Sequence, residues 1–370
     1  MRVGLDATPL LGPRTGVGQY VARLVEALVA SGELAELCLV PFTWRGAAGL
    51  APAVAAARAA GGTRVMARRR RVPARPLREA WARAHWPPVE WFSGPVEVFH
   101  ATNFVAPPAR RARLVVTIHD LTYLRYPETV SAASLRYRTL VPRGLRRAAV
   151  VLTPSHAVAA EVRDEYGLGD RVRATPLGVD DDWFTVTPLV PAERGLPERY
   201  LLFVGSREPR KNLATLLAAY RELLAEASPP PLVLVGPPGW GEEPDLASLP
   251  PGRVLTPGYL GDQELPRVVA GAAALACPSW YEGFGLPALE ALACGTPVVA
   301  GDVLALREVL GDQAELVDPG DPGGLAAALA KAVEDGGEVA REARRAHAAG
   351  FTWDLCAEAT LQAYARAVGA

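Results

Sequence analysis

Residues 282–299 read Glu-Gly-Phe-Gly-Leu-Pro-Ala-Leu-Glu-Ala-Leu-Ala-Cys-Gly-Thr-Pro-Val-Val. The short apolar run before them, Ala273–Ala276, reads as a buried strand, and Pro278–Gly285 as the turn at its carboxyl end. Leu286–Ala293 then reads as a helix with Gly295 near its C-cap. In an open α/β sheet, ligands sit just outside the carboxyl ends of the strands. Gly283 and Gly285 let the backbone approach a ligand closely. The free N–H groups of the helix that starts at Leu286 favour an anion such as a diphosphate. Glu282 in the loop and Glu290 on the helix can each accept two hydroxyl hydrogens, as a sugar or a ribose diol offers them. An ordinary surface turn would not be framed by a buried strand and a second glycine turn.

A second segment has the same form. Val204-Gly-Ser-Arg-Glu-Pro-Arg-Lys-Asn212 follows the strand Tyr200–Val204 and opens a helix that runs to about Ala227. Arg210 and Lys211 can neutralise a diphosphate and stabilise the charge that grows as it leaves. The Walker pattern is missing, which argues against a P-loop ATPase. The chain holds only two lysines, Lys211 and Lys331, against 37 arginines. A compact ammonium kept at this turn is a different tool from a guanidinium.

Two further segments lie near the N-terminus. Gly12-Pro-Arg-Thr-Gly16-Val-Gly18-Gln-Tyr20 follows the first strand. It is not a dinucleotide fingerprint, yet Gly16 and Gly18 before a helix allow a backbone contact to an anion. Thr117-Ile-His119-Asp120-Leu121 ends an apolar strand, and His100 ends another. The two histidines can face one cleft at the carboxyl edge of a sheet, or serve structure alone. Their spacing does not suggest a metal site.

Around these segments, short apolar runs alternate with stretches of helical period. In the first half the strands are expected at Val3–Asp6, Leu37–Val40, Val96–His100, Leu114–His119 and Val150–Pro154. Helices are expected at Gly18–Ser31, Ser131–Arg147 and Ser155–Glu165, with Ser155 as an N-cap. The second half adds strands at Leu232–Val235, Arg253–Leu255, Pro297–Ala300 and Ala314–Val317, and helices at Leu265–Ala272 and Gly324–Glu334. Such alternation argues for parallel sheets covered by helices on both faces. Residues 176–200 are rich in proline and aspartate and break the pattern. The expected division is residues 1–183, residues 184–350, and a last helix in 351–370 that crosses back to the first domain.

Composition agrees. The chain has 370 residues, 50% apolar and 21% charged, which suits two globular domains and excludes a disordered or fibrous chain. No apolar run approaches the roughly 18–20 residues of a spanning helix. The start, Met-Arg-Val-Gly-Leu-Asp, lacks a signal-like apolar stretch, so a soluble cytoplasmic protein is expected. Cys38, Cys277, Cys294 and Cys356 form no CxxC pair and read as reduced, buried residues. Residues 1–185 hold 25 arginines and 16 acidic residues, while the remainder is net acidic. Arg64–Arg83, with the run Arg68–Arg71 and then Trp81, Trp86 and Trp91, fits neither domain well. It reads either as a solvated loop or as a patch facing an anionic membrane at the inner face. No nucleic-acid module accompanies it.

The chain resembles the retaining family-four glycosyltransferases of GT-B fold. The carriers are EGFGLPALEALACGTPVV together with RTGVGQY, VFHATNF, VVTIHDLTYL, VLTPSHAV, PLGVD, FVGSREPRKN, GYLGDQELP and ALREVLGD, all in the family's order. The resemblance covers nearly the whole chain and is strongest to mannosyltransferase-like bacterial enzymes of polysaccharide and natural-product biosynthesis. It implies two tandem Rossmann-like domains with an interdomain cleft. It also implies transfer of a hexose from a nucleotide diphosphate sugar, GDP-mannose before UDP- or dTDP-sugars, with retention and without bound metal or other cofactor.

The implied roles fall residue by residue. Glu282 would hold donor sugar hydroxyls, with backbone groups at Gly283, Phe284, Gly285 and Leu286 on the sugar and diphosphate. Glu290 would hold the ribose, and Tyr259 and Leu260 would meet the base. Arg210 and Lys211 would grip the diphosphate, and Gly16 would close on it. His119 would lie near the anomeric carbon, with Asp120 and His100 on the acceptor side. Many relatives carry arginine where this chain has Ser206, so that load falls on Arg207 or on Arg210 and Lys211. The acceptor implied is a glycan, a lipid-linked glycan or a small aglycone. A non-catalytic homologue that only binds, or an epimerase or synthase on the same fold, remains an alternative.

Overall fold

A computed structural model describes residues 1–12, 16–44, 47–68, 70–189, 195–241, 245–335 and 337–369. Arg14 and Thr15 of the first glycine segment, Arg69 of the arginine run and Pro191 of the expected linker lie outside the described residues. The chain forms two compact units: residues 1–121, 132–178 and 352–370, and residues 122–131 with 179–351.

Among the described residues the first unit holds seven strands: β1 (Arg2–Asp6), β2 (Glu36–Val40), β3 (Arg64–Ala67), β4 (Val98–Ala101), β5 (Arg113–Thr117), β6 (Val150–Thr153) and β7 (Val172–Ala174). Their order is β3-β2-β1-β4-β5-β6-β7, and each pairing is parallel. The order reverses between β1 and β4, the switch point where doubly wound sheets bind ligands. The central strands β4 and β6 are buried along their whole length, as a sheet covered on both faces requires. β3 and β7 stand at the two edges, where burial on one face suffices, and neither carries an apolar run that would mark it in the sequence.

The second unit holds β8 (Leu201–Val204), β9 (Leu232–Val235), β10 (Val254–Gly258), β11 (Ala274–Cys277), β12 (Val298–Gly301) and β13 (Glu315–Val317). Their order is β10-β9-β8-β11-β12-β13, again all parallel, with the reversal between β8 and β11. Helices Leu213–Glu226 and Pro322–Glu334 pack against each other and bury Leu216, Tyr220, Leu325 and Leu329 over Leu201, Phe203 and Ala274. The fold is therefore α/β, with two Rossmann-like units in tandem.

Several expectations need correction. Arg64–Arg83 is no loop outside the domains: it forms β3 and the helix Ala74–Arg83 of the first unit. Val65, Leu77 and Trp81 anchor it by burial. Ser131–Arg147 is two helices, Ala132–Leu135 and Tyr137–Leu145. Residues 122–131 group with the second unit although they follow β5 in the chain. There the Tyr126 ring lies 5.8 Å from that of Tyr281, and the Trp240 indole donates to the Thr129 carbonyl at 3.0 Å. The units change over at Gly178 and Val179, a little before residue 183. The last helix, Trp353–Gly369, packs on β4, β5 and β6 of the first unit. Ser155 does cap its helix, accepting from the Val158 N–H at 3.2 Å. All four cysteines are buried.

Helix Leu286–Cys294 is fixed at both ends by glycine. Gly285 precedes it at φ +93°, and Gly295 follows at φ +79°, its N–H on the Ala291 and Leu292 carbonyls. A Cβ on Gly285 would stand 2.3 Å from Cδ2 of Leu306. Gly285→Ala is accordingly expected to cost roughly 1–3 kcal/mol, from backbone strain and overpacking together. A urea unfolding curve measures it, and a midpoint equal to that of the wild type would refute the account.

Candidate active site

The loops that follow β8, β10 and β11 all lie at the carboxyl edge of the second sheet. After β8 the chain passes Ser206 and enters a short turn, Pro209–Lys211, that ends at Asn212. Asn212 takes a left-handed conformation, φ +57°, which asparagine tolerates better than most residues. Its side-chain amide donates to the Pro278 carbonyl at 2.9 Å and to the Pro319 carbonyl at 2.7 Å. The Trp280 N–H donates to the Arg210 carbonyl at 3.0 Å. The loops after β8 and β11 are thus tied together by backbone and amide bonds before any charge is considered.

On this frame two cations meet one carboxylate. Lys211 Nζ donates to Glu282 Oε1 at 2.6 Å, and Arg210 Nη1 donates to Glu282 Oε2 at 3.0 Å. Ser279 Oγ adds a third bond to Oε1 at 2.7 Å. Arg210 Nη1 also donates to the Tyr281 carbonyl at 2.8 Å, and its Nη2 to Glu208 Oε1 at 2.9 Å. All four charged side chains are largely buried, with 15% or less exposed. Burial pushes the Glu282 carboxyl up, but Lys211, Arg210 and the Ser279 hydroxyl outweigh it and bring it down to about 2. The site therefore sets two carboxylates, Glu282 and Glu208, against Arg210 and Lys211. In so little water each interacts more strongly than on the surface.

The other expected residues of this unit lie around the cluster or along the same edge. Phe284 is buried, with its ring 6.0 Å from that of Phe351. Gly283, Gly285 and Leu286 form the turn into the helix, and Glu290 is buried within that helix. Tyr259 and Leu260 follow β10; Tyr259 is half exposed and Leu260 buried. Ser279, Glu208 and Asn212 complete the cluster without having been singled out. An acid two residues before Arg210 and a polar residue after a buried strand were the only signals for Glu208 and Ser279.

The first unit presents its own group at the end of β5. His119 is buried, its Nε2 2.8 Å from the Thr102 carbonyl, so this nitrogen carries the proton and donates. Burial lowers its pKa, against the opposing effects of the Thr102 carbonyl and Asp120, and the ring is neutral. The Tyr20 ring meets it edge-on at 5.2 Å and the Phe104 ring at 5.6 Å. Gly16 begins the helix Gly16–Ala30, with Gly18 buried two residues on. Asp120 is partly buried beside His119.

His100 does not face a ligand, contrary to the expectation for the acceptor side. It has no exposed surface, and both ring nitrogens are occupied: Nδ1 by the Tyr364 hydroxyl at 2.8 Å and Nε2 by Thr117 Oγ1 at 2.7 Å. Thr117 in turn pairs with the Tyr20 hydroxyl at 3.0 Å. The ring joins the last helix to β4 and β5. Burial lowers its pKa to about 3, with His119 adding to the effect. Because the folded value is depressed, the neutral ring favours folding above the ordinary value of about 6.5, and stability falls as the pH drops toward 3. The expected slope is roughly 1.4 kcal/mol per pH unit between pH 6 and 4. Urea titrations of wild type and His100→Asn check it; equal slopes would show that His100 does not titrate on unfolding.

Comparison with known proteins decides the family. Residues 14–183 match Glycosyltransferase Family 4, and residues 191–349 match Glycosyl transferases group 1. The chain is 33% identical to O-antigen chain mannosyltransferase B of Escherichia coli, over 98% of this chain and 99% of that protein. The chain belongs to the family 4 glycosyltransferases. It is also 32% identical to an MMP alpha-(1->4)-mannosyltransferase of Mycolicibacterium hassiacum, over 69% of this chain and 66% of that one. Among solved structures, sucrose-phosphate synthase from Thermosynechococcus elongatus matches 99% of this glycosyltransferase and 98% of its own chain, with a TM-score of 0.74 and 21% identity. HepE of Anabaena, solved with UDP and glucose, matches 97% of this chain and 98% of its own, with a TM-score of 0.69 and 20% identity. The fold of this glycosyltransferase is accordingly GT-B.

Proposed function

We propose that the protein transfers mannose from GDP-mannose to a hydroxyl of a growing glycan, with retention at the anomeric carbon. The observation that carries the reading is the buried meeting of Arg210, Lys211, Ser279 and Glu282 at the carboxyl edge of the second sheet. A diphosphate placed there would draw Arg210 and Lys211 from Glu282 and free that carboxylate for sugar hydroxyls. As the sugar–oxygen bond breaks, negative charge grows on the departing phosphate. Two fixed cations and the N–H groups at the start of helix Leu286–Cys294 suit that charge. Two side-chain cations at the diphosphate also suit a reaction without bound metal. The departing phosphate would accept the proton of the attacking hydroxyl on the same face of the sugar.

The remaining assignments follow from the family resemblance. Glu290 takes the ribose, and Tyr259 and Leu260 take the base. Within the first unit, the resemblance gives Gly16 and Gly18 to the donor and His119 and Asp120 to the reacting sugar and acceptor. The likeness to O-antigen chain mannosyltransferase B supports mannose and a glycan acceptor.

The test is a melting screen against GDP, UDP and dTDP and their mannose and glucose conjugates. GDP-mannose should shift the melting temperature most and should be slowly hydrolysed. The configuration of the released or transferred mannose, read by proton NMR, should be alpha from an alpha donor. Turnover should survive EDTA. A preference for UDP- or dTDP-sugars removes the donor assignment, and a beta product removes retention. Shifts without any hydrolysis or transfer leave a binding subunit.

A further inference from the structure

We propose that the second unit carries a phosphate-binding cavity at the edge of its sheet opposite the Glu282 cluster, built on Arg199, Arg341 and Arg344. The cavity has a volume of about 230 Å³. Of the residues that line it, Arg199 stands two positions before β8, Ala273 directly before β11 and Pro297 directly before β12. It therefore lies at the amino ends of these strands. The loops that bear Arg210, Lys211 and Glu282 leave the carboxyl ends, where doubly wound sheets bind their substrates. The cavity is thus no part of the site described above.

Helices Leu265–Ala270, Leu286–Cys294 and Pro322–Glu334 all end at this cavity, with Gly271, Gly295 and Asp335 as their C-caps. Their carbonyl ends carry partial negative charge, and arginine suits such ends. Arg344 Nε donates to the Gly295 carbonyl at 3.0 Å, and Arg199 Nη2 to the Val333 carbonyl at 2.9 Å. Capping leaves N–H groups over, because each guanidinium has five donors. Arg344, with its side chain only 6% exposed, sets Nη1 on Asp335 Oδ2 at 2.9 Å and keeps Nη2 without a partner among the described residues. Arg341 lies over Gly295, where no side chain stands in its way, and its guanidinium makes no hydrogen bond or ion pair among the described residues. Asp335 is the one acid that lines the cavity among the described residues. Three guanidiniums therefore face one carboxylate, in a half of the chain that is otherwise net acidic. Cations gathered with donors to spare suit an anion, and the planar guanidinium matches phosphate oxygens through two parallel N–H bonds. Size narrows the class: at about 230 Å³ the cavity falls below the roughly 300–1,000 Å³ of sites for drug-sized ligands. It suits a phosphate dianion, free or carried on a small ester, and is too small for a nucleotide sugar.

The inference goes beyond the transfer reaction and does not depend on which sugar is moved. Its test reads binding rather than turnover. Inorganic phosphate and mannose 1-phosphate are each titrated into the full chain by calorimetry, at fixed ionic strength and with GDP in excess. One equivalent should bind under GDP, and Lys211→Ala should leave that binding unchanged. Arg199→Gln with Arg341→Gln should weaken it about tenfold. Asp335→Asn removes the carboxylate of the wall and should tighten it several-fold, a gain that a misfolded variant cannot imitate. The tighter of the two ligands tells an ester from the free ion. Absence of binding at millimolar ligand would overturn the proposal, as would an arginine variant that binds like the wild type or an Asp335→Asn variant that gains nothing. Phosphate that GDP displaces, or that Lys211→Ala releases, would belong to the Glu282 cluster and would overturn it too. Loss of phosphate binding with transfer intact touches this inference alone; loss of transfer with phosphate binding intact touches the proposed function alone.

Discussion

Lys211→Ala should lower kcat/KM by about a thousandfold, most of it in kcat. The ammonium stands 2.6 Å from Glu282 in a site with little water, so once drawn to a departing diphosphate its charge acts more strongly than it would on the surface. The fold should survive. Arg210 and Ser279 still hold the Glu282 carboxylate, and the cost of breaking one arm of the cluster is at most roughly 3–5 kcal/mol. Lys211→Arg should rescue only in part, because a planar fork cannot occupy the place of a compact ammonium beside Arg210. Steady-state and single-turnover rates with the donor found in the melting screen settle the matter. Turnover like that of the wild type would remove Lys211 from the reaction.

Glu282→Ala should be as damaging to turnover and should do something that Lys211→Ala does not. Removing the carboxylate leaves Arg210 and Lys211 buried without their shared counter-charge, so the free protein loses stability. A nucleoside diphosphate supplies the missing negative charge. Its affinity should therefore hold or rise while kcat/KM for the nucleotide sugar falls about a thousandfold. Calorimetry with the diphosphate alone separates the two effects; parallel loss of diphosphate affinity and rate would mean that Glu282 only props the loop. Linkage adds a pH signature. The folded carboxyl titrates near 2 against an ordinary 4.5, so its stabilisation is complete above about pH 4.5 and is lost as the pH falls toward 2. Glu282→Gln should flatten that part of the acid unfolding curve.

The central strands were legible because each is a run of four or five apolar residues bounded by turns, as in Leu232–Val235 and Val298–Gly301. The edge strands β3 and β7 were not, since an edge needs no continuous apolar run, although the edge strands β10 and β13 of the second sheet were read. Glu282, Arg210 and Lys211 were legible as residues on loops at strand ends. Glu208 and Ser279 were not, because one buried hydrogen-bond partner leaves no pattern along the chain. His100 misled for a related reason. A histidine at a strand end looks the same in sequence whether solvent or the Tyr364 hydroxyl meets its ring.

The sequence by itself determined the two doubly wound sheets and, through its resemblance, the family. The sheets depend on period, apolar runs and local turn chemistry, all short-range properties of the chain. Only the tertiary structure decided that cations at 210 and 211 share one carboxylate at 282, and that His100 belongs to the core. It alone placed residues 122–131 with the second unit and set the Trp86 ring against that of Trp91. The physical reason is the same in each case. Charge pairing, burial and exposure are relations between residues distant in sequence, and they exist only once the backbone has brought those residues together.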